Sequence, residues 1–143
     1  MTRPPNPAPS RPPWQCSHAA VAGLKHRRAG RPTQDACLAS ATGPYPFLIV
    51  CDGRGSATRS DLGAQASVEA IAAVIGSATD LLAACLDSTD DGQAETVFAL
   101  LARLLCRTAA AAQERLARHH RQEARAFEHT LLVACLGRHR LGW

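Results

Sequence analysis

The chain of 143 residues has few aromatic side chains and no long apolar run. Phe, Trp and Tyr together make up 4% of the residues, so the stacking surfaces that single-stranded nucleic acids need are scarce. No apolar segment approaches the roughly 20 residues that a membrane-spanning helix requires. The proline-rich N-terminus contains no apolar block of the kind found in signal peptides. We therefore expect neither a membrane span nor binding of single-stranded nucleic acid.

Paired cysteine motifs are also absent. The six cysteines stand singly, without a C-x-x-C pair, so their spacing gives no indication of a zinc site. Cys37, Cys51 and Cys135 lie in apolar segments, where a free thiol behaves as a small hydrophobe. We expect these three thiols to lie in the core. Because disulfides are rare in reducing compartments, unpaired cysteines of this kind predict a cytoplasmic location.

The formal net charge is +4, and the positive residues are mostly arginines. They form two clusters, at residues 25–31 and 115–125. Basic clusters can bind nucleic acid or an acidic partner. A solvated helix face produces the same pattern, and we favour that interpretation over nucleic-acid binding. An α+β domain that binds duplex DNA through residues 115–125 remains one of the alternatives.

The first third of the chain predicts a tail followed by strands. Residues 1–17 are rich in proline and predict an extended, disordered tail, and residues 18–143 then form one domain. Apolar segments at residues 18–24, 36–41 and 47–51 predict three strands, which are antiparallel because the connections are too short for helices. The continuous apolar run at 47–51 is typical of a strand buried on both faces.

The pattern then changes to a helical period. A capping signal at residues 58–61 begins an alanine-rich helix that extends to Ser77, residues 81–86 add a further turn, and residues 93–121 form a second long helix. The apolar face of that helix comprises Val97, Leu100, Leu101, Leu104, Leu105, Thr108 and Ala112.

The last residues predict half of a hairpin. Residues 129–136 form a strand, residues 137–139 a turn, and residues 140–143 the beginning of a returning strand. Because an unfinished strand leaves backbone groups unpaired, we expect an α+β fold that is incomplete at its C-terminus.

Two acidic residues stand where predicted strands begin or end. Asp52 follows the run at 47–51 and opens into a loop with Gly53 and Gly55, and Asp35 precedes the segment at 36–41. A carboxylate beside backbone that can approach a ligand closely suits a hard cation or a phosphate. An isolated strand-end aspartate more often accepts hydrogen bonds from neighbouring amides. The joint occurrence of Asp35, Asp52 and the glycines favours metal binding.

Three stretches resemble one family. GLKHRRAGRPTQDA at residues 23–36 and CDGRGSA at residues 51–57 resemble the first two motifs of bacterial metal-dependent protein phosphatases of type 2C. FEHTLLVA at residues 127–134 resembles the strand that follows the helical pair of this family. The resemblance covers residues 19–143 and implies a type 2C phosphatase-like β-sandwich with flanking helices, of which residues 18–143 are the N-terminal portion.

The resemblance also implies a function and a site. The family hydrolyses phosphoserine and phosphothreonine in phosphorylated proteins, with two magnesium or manganese ions that neutralise the phosphoryl oxygens and a metal-bound water that attacks phosphorus. By motif position, Asp52 matches the aspartate that bridges both metals and Gly53 the residue whose carbonyl is a further ligand. Asp35 matches the aspartate that holds metal-bound waters.

The chain departs from the family pattern in three respects. The phosphate-contacting arginine falls near Gly30, so that Arg28 or Arg31 substitutes only in a shifted register. Arg54 stands where some members carry a histidine that is a candidate proton donor. The later metal aspartates lie beyond the returning strand, and we therefore expect little or no activity from this chain alone. The alternative is a non-catalytic regulatory or interaction module on the same fold.

Overall fold

The computed structural model describes residues 14–30 and 32–143, which form helices and one antiparallel sheet. The strands lie in the order β1 (Ala36–Ser40), β2 (Phe47–Cys51), β3 (Leu132–Leu136) and β4 (Leu141–Gly142). The helices are α1 (Leu24–Arg28), α2 (Ser60–Ser77), α3 (Thr79–Leu82) with a π-helical turn (Ala83–Asp87), α4 (Asp91–His120) and a 3₁₀ turn (Ala124–Phe127). The α+β class is confirmed. Residues 1–13 of the predicted tail lie outside the described residues.

The sheet is covered by helices on one face. Along β2, Ile49 and Cys51 are fully buried, whereas Leu48 is 39% exposed on the opposite face. The expectation that this strand is buried on both faces is wrong for the described residues, because α2 packs against only the side that carries Ile49. The β-sandwich stays a prediction, since a second sheet is not among these residues.

The core lies between that face of the sheet and the two long helices. Ile71 of α2 and Leu101 of α4 are both buried there, together with Leu105. Leu100 and Leu104 belong to the predicted apolar face but are exposed. The side of α4 that faces the core is therefore narrower than the apolar pattern indicates. The other buried residues of this helix are small: Ala94, Ala109 and Ala112.

The two long helices begin in different ways. The side chain of Asp90 caps α4 by accepting a hydrogen bond from the Gln93 N–H at 3.0 Å. The predicted capping signal before α2 is wrong, because Ser60 is already helical and buried and the N-cap position is Arg59, whose side chain makes no cap hydrogen bond. The Arg59 N–H instead donates to the Ala126 carbonyl at 2.8 Å, which ties the start of α2 to the 3₁₀ turn.

The predicted first strand, residues 18–24, is not a strand. Residues 18–23 have no regular secondary structure, and α1 begins at Leu24. The N–H of Ala39, on the outer edge of β1, donates to the Nδ1 atom of His18 at 3.1 Å, so a side chain takes the place of a partner strand's carbonyl. Val21 is 73% exposed, and the segment therefore gains little from apolar burial.

No single described helix is long and apolar enough to cross a membrane. The bent pair Ser60–Ser77 and Thr79–Asp87, with an angle of 77° between its two parts, passes the same test of length and composition.

Asp87, at the end of the π-helical turn, joins two turns at one end of the sheet to the helices. The Tyr45 hydroxyl donates to its Oδ2 atom at 2.8 Å, and the Arg138 N–H donates to its Oδ1 atom at 2.6 Å. Tyr45 precedes β2 and Arg138 lies in the turn before β4. One carboxylate therefore fixes both turns. Burial and this hydrogen bond raise the pKa of Tyr45 to about 12.

We expect alkaline pH to destabilise the fold. Burial raises the pKa of both Cys51 and Cys135 from 9.0 to about 11, and the pKa of Tyr45 rises from 10.0 to about 12. Folding therefore favours the neutral form of each group. The resulting stabilisation is complete below the unfolded-state pKa values and is lost as the pH rises through the interval between 9.0 and about 12.

Urea unfolding at about pH 8 and about pH 11 measures this loss. Tyr45→Phe should lower the free energy of unfolding by about 1 kcal/mol at neutral pH, because a buried hydrogen bond is removed. The variant should also lose less stability than the wild type at high pH, since no phenol remains to ionise. The same pH dependence in both proteins would contradict the role of Tyr45.

A pair of glycines in α2 tests how this helix packs. A Cβ atom at Gly63 would overlap the Phe127 carbonyl, whereas a Cβ atom at Gly76 meets no other atom within 4 Å. Gly63→Ala should lower the free energy of unfolding by about 2–3 kcal/mol, and Gly76→Ala should raise it by about 0.5–1 kcal/mol. Denaturant titration of both variants provides the measurement, and wild-type stability of Gly63→Ala would be the contrary result.

Candidate metal centre

The two acidic residues that the sequence singles out lie opposite each other at the end of β1 and β2. The antiparallel ladder pairs Ala36 with Cys51, and one further step in the same register places Asp35 opposite Asp52. Directly opposed side chains project from the same face of a sheet, with Cβ atoms about 4.5–5.5 Å apart. Both aspartates are exposed and line one cleft of about 470 Å³. The structure therefore brings the two carboxylates together.

Hydrogen bonds to the segment before β3 hold the Asp-Gly stretch in an extended conformation. The Thr130 N–H donates to the Asp52 carbonyl at 2.8 Å, and the Arg54 N–H donates to the Glu128 carbonyl at 3.0 Å. The sequence predicts that the chain opens into a loop immediately after Asp52. The structure instead extends the strand pairing as far as Arg54, so that Asp52 has a fixed backbone on both sides.

Gly53 connects the two carboxylates through its backbone. Its N–H donates to the Oδ1 atom of Asp35 at 3.2 Å, and it pairs with His129 in an isolated antiparallel bridge. In an extended strand the N–H and C=O of one residue point to the same side, so the Gly53 carbonyl faces the side of Asp35. No described residue donates a hydrogen bond to that carbonyl oxygen.

A side chain at residue 53 is excluded by close packing. A Cβ atom there would overlap the backbone carbonyl of Gln34. The side chain of Gln34 is itself held by a hydrogen bond between its Oε1 atom and the Nε2 atom of His26 at 3.0 Å. His26 therefore supports the segment that carries Asp35.

These oxygens fit part of a hard-cation site. Magnesium takes six oxygen ligands and usually retains several waters when proteins bind it, and carboxylate and carbonyl groups are the ligands that magnesium and manganese prefer. Asp52, Asp35 and the Gly53 carbonyl are three such groups at this end of the β1–β2 pair. Within residues 14–30 and 32–143, no group of three or more His, Cys, Asp or Glu side chains is arranged to hold a metal. The donor set suits one cation and does not complete a site for two.

The structure also describes Gly30, Arg28 and Arg54, which concern the departures of the sequence from the family pattern. Gly30 has a left-handed φ of 63° in the turn after α1, and Arg28 is exposed at the end of that helix. Arg31 lies outside the described residues. Arg54 forms an ion pair with Glu128, and it faces away from the core on the same side of the strand as Asp52.

The sequence did not reveal a second cleft beside the Asp-Gly stretch. This arginine cleft, of about 560 Å³, is lined by Arg54, Arg121 and Arg125 among other residues. Arg121 and Arg125 belong to the basic cluster at residues 115–125, whose sequence pattern favours a solvated helix face. The pairing of Gly53 with His129 brings these two arginines beside Arg54. Because the paired segments are far apart in sequence, no local sequence pattern predicts this pairing.

A comparison with protein-family models supplies independent information. The chain matches the model described as protein phosphatase 2C over residues 22–141. The match includes both carboxylates, Gly53, and every helix and strand of the described residues except the last residue of β4. The comparisons with curated proteins and with solved structures returned no match.

Two glycines test the geometry around Asp35. Gly53→Ala should lower the free energy of unfolding by about 2 kcal/mol and weaken manganese binding, because the new methyl group pushes Gln34, and with it Asp35, away from Asp52. Gly55→Ala is the matched control, since a Cβ atom there meets no atom within 4 Å. Denaturant titration and calorimetry with manganese provide the two readouts. Equal behaviour of the two variants would contradict the close approach at Gly53.

Proposed function

The chain belongs to the protein phosphatase 2C family, and we propose that its site serves the metal-dependent hydrolysis of phosphoserine and phosphothreonine in proteins. Phosphatase chemistry and phosphoprotein substrates follow from the family in general. The observation that carries the finer proposal is the opposed pair Asp35 and Asp52, which line one cleft. The adjacent Gly53 has a carbonyl to which none of the described residues donates a hydrogen bond. Oxygen ligands on a rigid strand pair suit the cation that such chemistry needs.

Magnesium or manganese is the proposed cofactor. The Asp52 carboxylate and the Gly53 carbonyl are the direct ligands, and Asp35 holds waters of the cation shell. When bound, such cations neutralise phosphoryl oxygens and acidify water. The protein contributes alignment, because the Gly53 N–H fixes the Asp35 carboxylate at 3.2 Å and the β1–β2 register sets its distance from Asp52.

Arg54 cannot take over the proton-donor role of the histidine found in some family members. A guanidinium group stays protonated at any pH that the protein tolerates, so it cannot transfer a proton to a leaving alkoxide. Its fixed fork of N–H donors instead suits carboxylate or phosphate oxygens. The Glu128 carboxylate already occupies it in this way.

The small number of ligands limits the activity expected from this chain alone. Two divalent cations carry twice the charge of the two carboxylates that face the cleft, and their mutual repulsion remains uncompensated. We propose that the chain by itself hydrolyses phosphomonoesters slowly or not at all. The same shortage of carboxylates favours an alternative function, a non-catalytic regulatory or interaction module on this fold.

The cytoplasm is the proposed location. All six cysteines are free, and Cys51, Cys85 and Cys135 are buried. Free thiols are typical of proteins that function in reducing compartments.

Calorimetric titration of manganese into the protein tests the site directly. Asp52→Asn should reduce the affinity by roughly tenfold or more, because the principal anionic ligand is lost. Asp35→Asn should reduce it less, since Asp35 acts through water. Asp80→Asn, an exposed aspartate on α3, is the control for a change of charge and should bind as the wild type does.

Hydrolysis of 4-nitrophenyl phosphate in the presence of manganese distinguishes the two functions. Turnover that Asp52→Asn abolishes would establish a phosphatase and contradict the proposed inactivity of the chain alone. Manganese binding that depends on Asp52, without turnover, is the expected result. Absence of binding, or binding that is indifferent to Asp52, would favour the non-catalytic module.

A further inference from the structure

The arginine cleft brings together cationic side chains from three separate elements. Arg54 comes from the extended stretch that follows β2, Arg121 from the C-cap of α4, and Arg125 from the 3₁₀ turn. The hydroxyl-bearing residues Ser56 and Thr58 line the same cleft. The lining therefore offers several hydrogen-bond donors to a single anionic ligand.

The walls of the cleft are fixed to each other by backbone hydrogen bonds. The Arg54 N–H donates to the Glu128 carbonyl at 3.0 Å, and the Arg59 N–H donates to the Ala126 carbonyl at 2.8 Å. The cleft does not have to be assembled when a ligand arrives, and preorganised sites bind with a smaller loss of entropy.

Arg121 occupies a backbone conformation that normally selects glycine. It has a φ of 53° and a ψ of 44° in the C-cap position of α4, and it is the only described non-glycine residue with a positive φ. Helices commonly end in this conformation with glycine, because a side chain there is strained. Such strain tends to occur at functional sites. An arginine at this position gives up stability and adds a guanidinium group to the cleft.

The ion pairs already present indicate that the arginines of the cleft bind carboxylates. Arg54 pairs with Glu128, and the Arg125 Nε atom lies 2.7 Å from a carboxylate oxygen of Glu123. Both pairs are exposed, so they contribute little to stability and exchange partners readily. Within the part of the chain that the structure describes, no carboxylate forms an ion pair with Arg121.

We propose that the arginine cleft binds an acidic segment of the phosphoprotein substrate, close to the phosphorylated residue. The inference rests on the proposed function for the position of the phosphoryl group at Asp52. Asp52 and Arg54 are two residues apart in an extended strand, which corresponds to about 7 Å. An extended substrate therefore reaches the cleft with its second or third residue from the phosphorylated one, and the site prefers glutamate or aspartate there.

A peptide fits the cleft better than a nucleic acid does. None of the described aromatic residues lines it, so bases have no stacking surface there. Glu123 and Glu128 repel a continuous row of phosphates, whereas an extended peptide can place single carboxylates between them. Duplex DNA is nevertheless included as a competing ligand in the experiment.

Fluorescence anisotropy with labelled peptides tests the proposal. A phosphoserine peptide with glutamates at the second to fourth positions on either side is compared with the same peptide carrying glutamines, with the unphosphorylated glutamate peptide, and with duplex DNA of equal charge. The glutamate phosphopeptide should bind roughly tenfold more tightly than the glutamine phosphopeptide. Its affinity should fall with rising salt.

Two substitutions of Arg121 and one control assign this preference to the cleft. Arg121→Gln should weaken binding of the glutamate peptide by roughly two- to fivefold. Arg103→Gln removes an equal charge from an exposed position on α4 outside the cleft and should leave binding unchanged. Arg121→Gly should weaken binding while raising the midpoint of thermal unfolding by about 2–4 °C, because the backbone strain is relieved. Weaker binding by a more stable variant cannot result from unfolding.

Each outcome bears on either the cleft or the proposed function. Equal binding of the glutamate and glutamine peptides, equal effects of Arg121→Gln and Arg103→Gln, or tighter Arg121-dependent binding of DNA would overturn the proposal. Arg121-dependent binding of glutamate peptides with no contribution from the phosphate would support the acidic-segment site and contradict the phosphatase function. Binding that depends on the phosphate but not on the glutamates would support the phosphatase function and contradict the acidic-segment site.

Discussion

Hydrogen bonds on the two sides of the Asp-Gly stretch determine where the functional groups of this chain lie. On one side, the β1–β2 ladder places Asp35 opposite Asp52. On the other, the bonds to Thr130 and Glu128 bring the end of α4 and the 3₁₀ turn beside Arg54. Because side chains alternate along a strand, a shift of one residue in either register turns the carboxylates toward the helices. The hydrogen atom that serves Gly53 as a side chain allows the two strands to keep this register.

Features with a local cause could be predicted from the sequence. β2 extends over Phe47–Cys51 and α2 over Ser60–Ser77, as predicted, since each is bounded by residues that stop it and filled by residues that favour it. The sequence indicates Asp35 and Asp52 as joint candidates for metal binding, and the β1–β2 register places them opposite each other. The family resemblance is confirmed by the match over residues 22–141, while the metal roles of Asp35, Asp52 and Gly53 stay predictions.

Features that depend on contacts distant in sequence could not be predicted. The segment at residues 18–24 has the composition of a strand, but β1 uses the His18 side chain instead of a partner backbone. The exposure of Leu48 depends on which face of the sheet the helices cover. The ion pair of Arg54 with Glu128 joins residues 74 apart in sequence. The left-handed conformation of Arg121 arises at a position where composition predicts glycine.

The order of the strands has a consequence for the folding pathway. β2 and β3 are adjacent in the sheet, yet about eighty residues separate them along the chain. Closing so long a loop costs entropy before any strand contact repays it, and chains rich in such contacts fold slowly. The intervening residues consist mainly of α2 and α4, whose contacts with each other are the most numerous between elements. Docking of these helices shortens the effective loop, so β3 joins the sheet late, and the Asp-Gly stretch gains its hydrogen bonds to Thr130 and Glu128 only at that step.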